Sequence, residues 1–240
     1  MTYDWLATLA FASTLILTTL IGRRIAFSIP AFAKMRELNL EVDKTKLAKM
    51  RFREAVKRNN KVGLLTNLGF FIVLVPFCVN LEPRPLWRHV VDFLVVLLVF
   101  DFMYYLTHRF LFHGKILRKV HALHHQARET THIDALYVHP LETFIGLLLF
   151  FGAFPIVCLA YGTPLNAFSA GIATLAFTQL NTINHTFVNL PYFPFRQIDR
   201  ITSIHAAHHV DMNQGNYATL TMIYDRIFGT FEEPVSRQTP

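Results

Sequence analysis

Cysteine is almost missing from this 240-residue chain, charge is scarce, and no Gly/Ser-rich or repetitive tract occurs. The two cysteines, Cys78 and Cys158, stand far apart in apolar runs, which rules out a disulfide framework, a zinc ribbon and a CxxC redox centre. Charged residues make up 16% of the chain, where a soluble domain carries about 25%. With 52% hydrophobic residues and a mean hydropathy of +0.33, disorder and an ordinary cytosolic globule are both excluded. The net charge of +7 does not point to nucleic acid, because the aromatic residues lie inside apolar stretches and not among basic residues on a polar surface.

What the chain does have is apolar length. A helix that spans a bilayer needs about 20 predominantly apolar residues, and five stretches qualify: 5–22, 62–81, 90–107, 141–161 and 165–184. The first has Asp4 ahead of it and Arg23-Arg24 behind, the reverse of a cleaved signal peptide, and reads as an uncleaved anchor. The third is interrupted by Asp92 and Asp101, and the last two form a helical hairpin around Gly162-Thr163-Pro164. The pattern predicts an all-α polytopic membrane protein with four to five transmembrane or re-entrant helices and a cytoplasmic histidine-rich cap. Residues 23–61 hold 12 of the 23 Lys and Arg against Glu37, Glu41, Asp43 and Glu54. Short basic loops stay in the cytoplasm, and a solvated helix face or contact with anionic headgroups would each place this segment there. Counting spans forward from it puts the residues after His108 and after His185 on the same side. The expected division is an anchor and basic segment over 1–61, followed by one membrane domain over 62–240.

The 12 histidines are the second outlier. Nine are grouped: His108 and His113, then His121, His124 and His125 (HALHH), then His185, then His205, His208 and His209 (HAAHH). Positions i, i+3 and i+4 share a helix face, so each HxxHH is expected to aim three imidazoles at a common point. His108 and His113, five apart, diverge by about 140° on a regular helix, so they are expected to bracket a centre rather than chelate one ion. Imidazole ligates iron, zinc and copper, and nine imidazoles exceed the capacity of a single ion, so two metals are the economical reading. His89 and His132 are expected to be structural, and for His139 a helix start or a support for the site is as expected as metal ligation. A zincin would require His-Glu-x-x-His, which is absent, and no serine or cysteine sits in a nucleophile elbow. The remaining chemistry is a nitrogen-ligated, redox-capable metal pair at the ends of membrane helices, suited to activating dioxygen against an aliphatic lipid carbon.

These motifs resemble the fatty acid hydroxylase and sterol desaturase superfamily, the histidine-box di-iron membrane oxidases. The likeness runs over about residues 90–232 and is carried by 101–113 (DFMYYLTHRFLFH), 119–125 (KVHALHH), 137–142 (YVHPLE), 181–185 (NTINH), 205–209 (HAAHH) and 216–230 (NYATLTMIYDRIFGT). The C4-methylsterol oxidase branch is the most similar in motif. The resemblance implies two non-haem iron ions held by His108, His113, His121, His124, His125, His185, His205, His208 and His209, with O2 as co-substrate. It implies hydroxylation or desaturation of a lipid such as a sterol or fatty acyl chain, a water-mediated or supporting role for Asn181, and a bracing role for the segment from Asp225 to Thr230. The sequence shows no haem, flavin or ferredoxin motif, so electrons are expected from a separate donor: a ferredoxin, a cytochrome b5 or a reductase. The rival readings are a membrane metal-ion transporter and a non-catalytic metal-binding membrane protein.

Overall fold

The computed structural model describes residues 2–234. Helix α1 (Trp5–Ser28) begins where the Asp4 carboxylate accepts a hydrogen bond from the Ala7 amide at 2.9 Å, a side-chain cap for one of the unpaired N-terminal donors. Extended backbone at Ile29 and Pro30 in the first turn start α2 (Pro30–Ala48), as the steric preference of the residue before proline and the fixed φ of proline dictate. Helix α3 (Met50–Val73) follows. The 62–81 stretch is therefore not one span. The helix stops at Val73, and a single turn, α4 (Val75–Cys78), leads into strand β1 (Val79–Asn80). Pro76 supplies the reason, since it lacks an N–H and its ring would collide with the carbonyl four residues earlier.

The other expected spans form helices close to their predicted limits: α5 (Leu86–Thr107), α7 (Pro140–Tyr161) and α8 (Ala167–His185). Between α5 and α7 lies the short α6 (Arg118–His121), and α9 (Arg196–Val210) and α10 (Ile223–Ile227) come last. Gly162, at φ 68°, closes α7 in the left-handed conformation that glycine tolerates best. It leads to strand β2 (Leu165–Asn166), which pairs in parallel with β1. Among the described residues three helices are long and apolar enough to cross a membrane: α1, α5 with its continuation to Phe112, and α7. Helix α8 has the length, but carries Thr174, Thr178, Gln179, Asn181, Thr182 and Asn184.

Helix α8 packs against α1, α5 and α9. Its buried Ala167, Ala170, Gly171 and Ala173 let neighbouring backbones approach closely, as membrane helices require. A Cβ at Gly171 would lie 3.0 Å from Thr14 Cγ2. Phenylalanines fill the space between α5, α7 and α8, with Phe150 stacked on Phe177 at 4.1 Å and Phe100 edge-on to Phe177 at 4.9 Å. Such ring pairs contribute about 0.5–1.5 kcal/mol each beyond burial. The outer side of α1 (Leu9, Leu17, Leu20, Ile21) is exposed and suits lipid contact. Cys78 and Cys158 are both buried and meet, Cys158 Sγ donating to the Cys78 carbonyl at 3.3 Å.

The carboxylates that interrupt the apolar stretch of α5 are both paired, as acids in apolar helices need to be. Asp92 pairs with Arg84 at 2.9 Å and Arg88 at 3.1 Å. Asp101 accepts the Thr219, Leu220 and Thr221 amides and the Thr221 hydroxyl, tying the loop after α9 to α5. Helix α2 is equally engaged. Buried Asn39 donates to the Phe187 carbonyl and accepts the Phe187 and His132 amides, Asp43 accepts the Thr131 hydroxyl, and Lys46 is ion-paired with Asp134. One face of the basic segment thus clamps the chain on either side of the histidine region.

Candidate metal centre

Helix α5 does not end regularly. Residues 108–112 continue it as a π-turn in which the His113 amide donates to the His108 carbonyl at 2.9 Å. That i to i+5 closure places the two histidines over one another, which the regular-helix geometry did not anticipate, and such π-segments recur at functional sites. The widened turn needs a residue without a side chain: a Cβ at Gly114 would sit 1.9 Å from the Phe110 carbonyl oxygen. The second box is also irregular. Helix α6 ends at His121 and a 3-10 turn holds His124 and His125, whereas the third box lies on the continuous α9.

All nine histidines are brought together and all are buried. They form two clusters that could each hold a metal ion, His108, His113, His121, His125 and His208 in one, and His124, His185, His205 and His209 in the other. Within each, the candidate ligand atoms lie within 4.8 Å of one another. Each HxxHH box is therefore divided and does not converge on a single point. Residues i and i+4 of a box serve one cluster and residue i+3 the other, so the two boxes stitch the clusters together. The rings of His125 and His209 stack at 4.9 Å across that seam.

The ring contacts decide whether these clusters suit a cation. On one side, Nδ1 of His108, His113 and His208 faces the carbonyls of Tyr217, Met212 and Gly215 at 2.6–2.7 Å. Nδ1 of His121 faces the Glu142 carboxylate at 2.7 Å, and those of His185 and His124 face the carbonyls of Asn181 at 2.8 Å and Tyr137 at 3.3 Å. These partners only accept, so each Nδ1 carries the proton and each Nε2 presents a lone pair. Yet Nε2 of His108 lies 3.0 Å from Nε2 of His121, and Nε2 of His124 lies 2.9 Å from Nε2 of His185. Lone pairs opposed at this distance need a cation between them. Two nitrogens that each ligate an ion at about 2.0–2.1 Å stand about 3 Å apart when they subtend a right angle.

A proton is a poor substitute for that ion. Burial holds His113 and His121 down to about pKa 3, with the neighbouring imidazole of His121 adding to the effect on His113. Desolvation followed by neighbouring imidazoles also pushes His125, His205, His208 and His209 well below the usual imidazole range. The sign for stability follows from linkage. An unfolded histidine titrates near about 6.5, so on acidification through that value the unfolded chain takes up protons that the fold refuses. Metal-free protein is expected to lose stability progressively from about pH 6.5 towards about pH 3; a denaturation midpoint that is flat over this window would contradict it.

Three residues outside the histidine set belong to the site. Glu142 is buried, holds His121 through Oε1 and, among the described residues, has no hydrogen-bond partner for Oε2. Asp225 accepts the Tyr217 and Ala218 amides and the Thr230 hydroxyl, each at 2.7 Å, so the segment from Asp225 to Thr230 does brace the loop whose carbonyls orient His108 and His208. Asn181 supplies the carbonyl for His185, and its side chain lines the adjoining cavity. Spacing alone could single out none of them, since each acts through backbone or through one histidine. Glu142→Gln is expected to lower metal affinity about 10–100-fold, read by competition with a chelator; an unchanged affinity would remove Glu142 from the site. His139 caps α7, its Nδ1 accepting the Leu141 amide at 3.2 Å, while His89 bonds Ser169 and His132 is exposed beside Asp43.

A cavity of about 380 Å³ lies among α3, α5, α7 and α8, with His108, His124, His185, His205 and His208 at its metal end. The family model "Fatty acid hydroxylase" matches residues 93–230. Methylsterol monooxygenase 1 of Rattus norvegicus is 33% identical over 133 residues, 54% of this chain and 43% of that protein. Very-long-chain aldehyde decarbonylase GL1-9 of Oryza sativa subsp. indica is 35% identical over 174 residues, 70% of this chain and 64% of that protein. The chain thus spans about two fifths to two thirds of the length of these relatives. No solved structure matches it.

Proposed function

The chain belongs to the fatty acid hydroxylase family, and on that premise we propose that it is a multi-pass, O2-dependent lipid oxidase whose nine clustered histidines hold two iron ions on the cytoplasmic face. The observation that carries this reading is the opposition of imidazole lone pairs at about 3 Å in both clusters. His108, His113, His121, His125 and His208 would hold one ion, and His124, His185, His205 and His209 the other. Such a pair supplies the redox chemistry needed to use dioxygen against a C–H bond.

The chain's own residues do the rest. The carbonyls of Gly215, Tyr217 and Met212 and the carboxylate of Glu142 fix the rings, so that little reorganisation accompanies the reaction. Buried Phe112 and Phe187 help to exclude water from the site. Leu64, Leu147 and Phe177 on the cavity wall would hold an aliphatic chain with one carbon presented to the imidazole end. The electrons come from a separate carrier such as a ferredoxin, a cytochrome b5 or a reductase.

Hydroxylation is the preferred outcome, in keeping with the monooxygenase named among the relatives. A transporter would place its ligands along a path through the bilayer, whereas these clusters sit at helix ends. The test is lipid profiling of cells with and without the gene. An oxygenated lipid that depends on His208 is expected, whereas an alkene or a chain-shortened product would replace hydroxylation by desaturation or decarbonylation. No new lipid, together with iron-free purified protein, would overturn the reading.

A further inference from the structure

A groove of about 840 Å³ lies beside the metal centre, between the start of α3 and the chain that joins His125 to α7. Phe52, Leu123 and Tyr137 line it together with Lys49, Arg51 and Arg58. Two acids also border it: Asp134, which is held by Lys46, and Glu54. None of Lys49, Arg51 and Arg58 is ion-paired among the described residues. Tyr137 joins this groove to the centre. Its ring stacks on Phe52 with centroids 4.2 Å apart and planes 7° apart, and its carbonyl bonds Nδ1 of His124 at 3.3 Å. The groove is one hydrogen bond away from the four-histidine cluster.

Its position along α3 selects between a lipid and a soluble partner. Gly63 lies level with Thr143 in the first turn of α7, a Cβ there falling 3.6 Å from Thr143 Cγ2. Arg58 and Arg51 precede Gly63 by five and twelve residues, about 7.5 and 18 Å of helix. The headgroup layer extends only about 5–8 Å beyond the hydrocarbon on each side, so with the hydrocarbon edge taken at the first turn of α7 and α3 taken along the membrane normal, Arg51 lies past that layer. An unpaired basic rim there is complementary to an acidic protein surface.

We propose that this groove is the docking site of an acidic one-electron carrier protein, with electrons entering at Tyr137 and passing to His124. The inference rests on the catalytic reading above, because only an oxidase needs the supply. Hydroxylation balances as R–H + O2 + 2 H⁺ + 2 e⁻ → R–OH + H2O, so two reduced carriers dock in turn, each leaving oxidised by one electron.

The test uses the full chain in lipid nanodiscs, loaded with zinc so that binding is measured without turnover. The probes are a plant-type [2Fe–2S] ferredoxin and a soluble cytochrome b5 domain. Two double variants on the same helix carry equal charge changes: R51E/R58E in the groove and R53E/K57E on residues that do not line it. R51E/R58E is expected to weaken binding of at least one carrier by about tenfold or more, and R53E/K57E by less than about twofold, with wild-type affinity falling as salt is added. Failure of both carriers to bind wild-type protein, no loss in R51E/R58E, or an equal loss in both variants would overturn the docking site. A loss confined to phosphatidylserine vesicles would overturn it in favour of lipid headgroups. Dithionite-driven lipid oxidation by iron-loaded protein reports separately: its failure beside groove-specific binding sinks the catalytic reading and leaves the docking site standing.

Discussion

Replacing His208 with alanine is expected to reduce lipid oxidation by more than about a hundredfold and to lower the iron content from two ions per chain to one. Loss of a partner that merely orients a metal-bound histidine costs about 10–100-fold, and loss of the imidazole itself exceeds that. His208 belongs to the five-histidine cluster, where its Nε2 lies 3.2 Å from that of His125 and its Nδ1 is held by Gly215. His124→Ala should remove the other ion, because His124 sits with His185, His205 and His209. Metal analysis and Mössbauer spectra of the two variants separate these outcomes, since one leaves a four-nitrogen and the other a five-nitrogen iron site. A His208→Ala protein with both ions and full turnover would end the assignment, and two variants that lose both ions equally would contradict the division into two clusters.

Gly114→Ala carries the second large effect, although Gly114 is not a ligand. A methyl group at this position would meet the Phe110 carbonyl at 1.9 Å and its carbon at 2.8 Å. Both are backbone atoms, which cannot swing aside. Relief requires the π-turn to open, and His113 then leaves the face it shares with His108. Destabilisation of about 3 kcal/mol or more is expected from strain of this kind, together with loss of the five-histidine ion and retention of the four-histidine one. Thermal unfolding and metal content read the two parts. Wild-type stability with two bound ions would show that the π-turn is not required.

The nine histidines, the all-α class and the positions of α1, α5, α7 and α8 were legible because hydrophobic runs and repeated HxxHH spacing are local signals. What escaped the sequence depends on departures from ideal helices. The divergence expected for His108 and His113 assumes 3.6 residues per turn, and one widened turn reverses it. The convergence expected for each HxxHH assumes a continuous helix facing one ion, whereas α6 ends at His121 and the boxes share their residues between two clusters. Apolar content at 62–81 masked the break imposed by Pro76. The basic run at 23–61 concealed Asn39 and Asp43, whose burial depends on loops about 90 to 150 residues away in sequence.

The loop after α9 also dictates an order of assembly. It provides the carbonyls of Met212, Gly215 and Tyr217 that orient three histidines, and it is itself pinned by Asp101 and Asp225. Ribosomal synthesis delivers α5, with His108, long before that loop exists. His108 and His113 therefore lack the carbonyls that orient their rings until residues 212–225 have emerged. A chain stopped before Met212 would carry His108 and His113 without those partners, and the five-histidine cluster would be left unfinished.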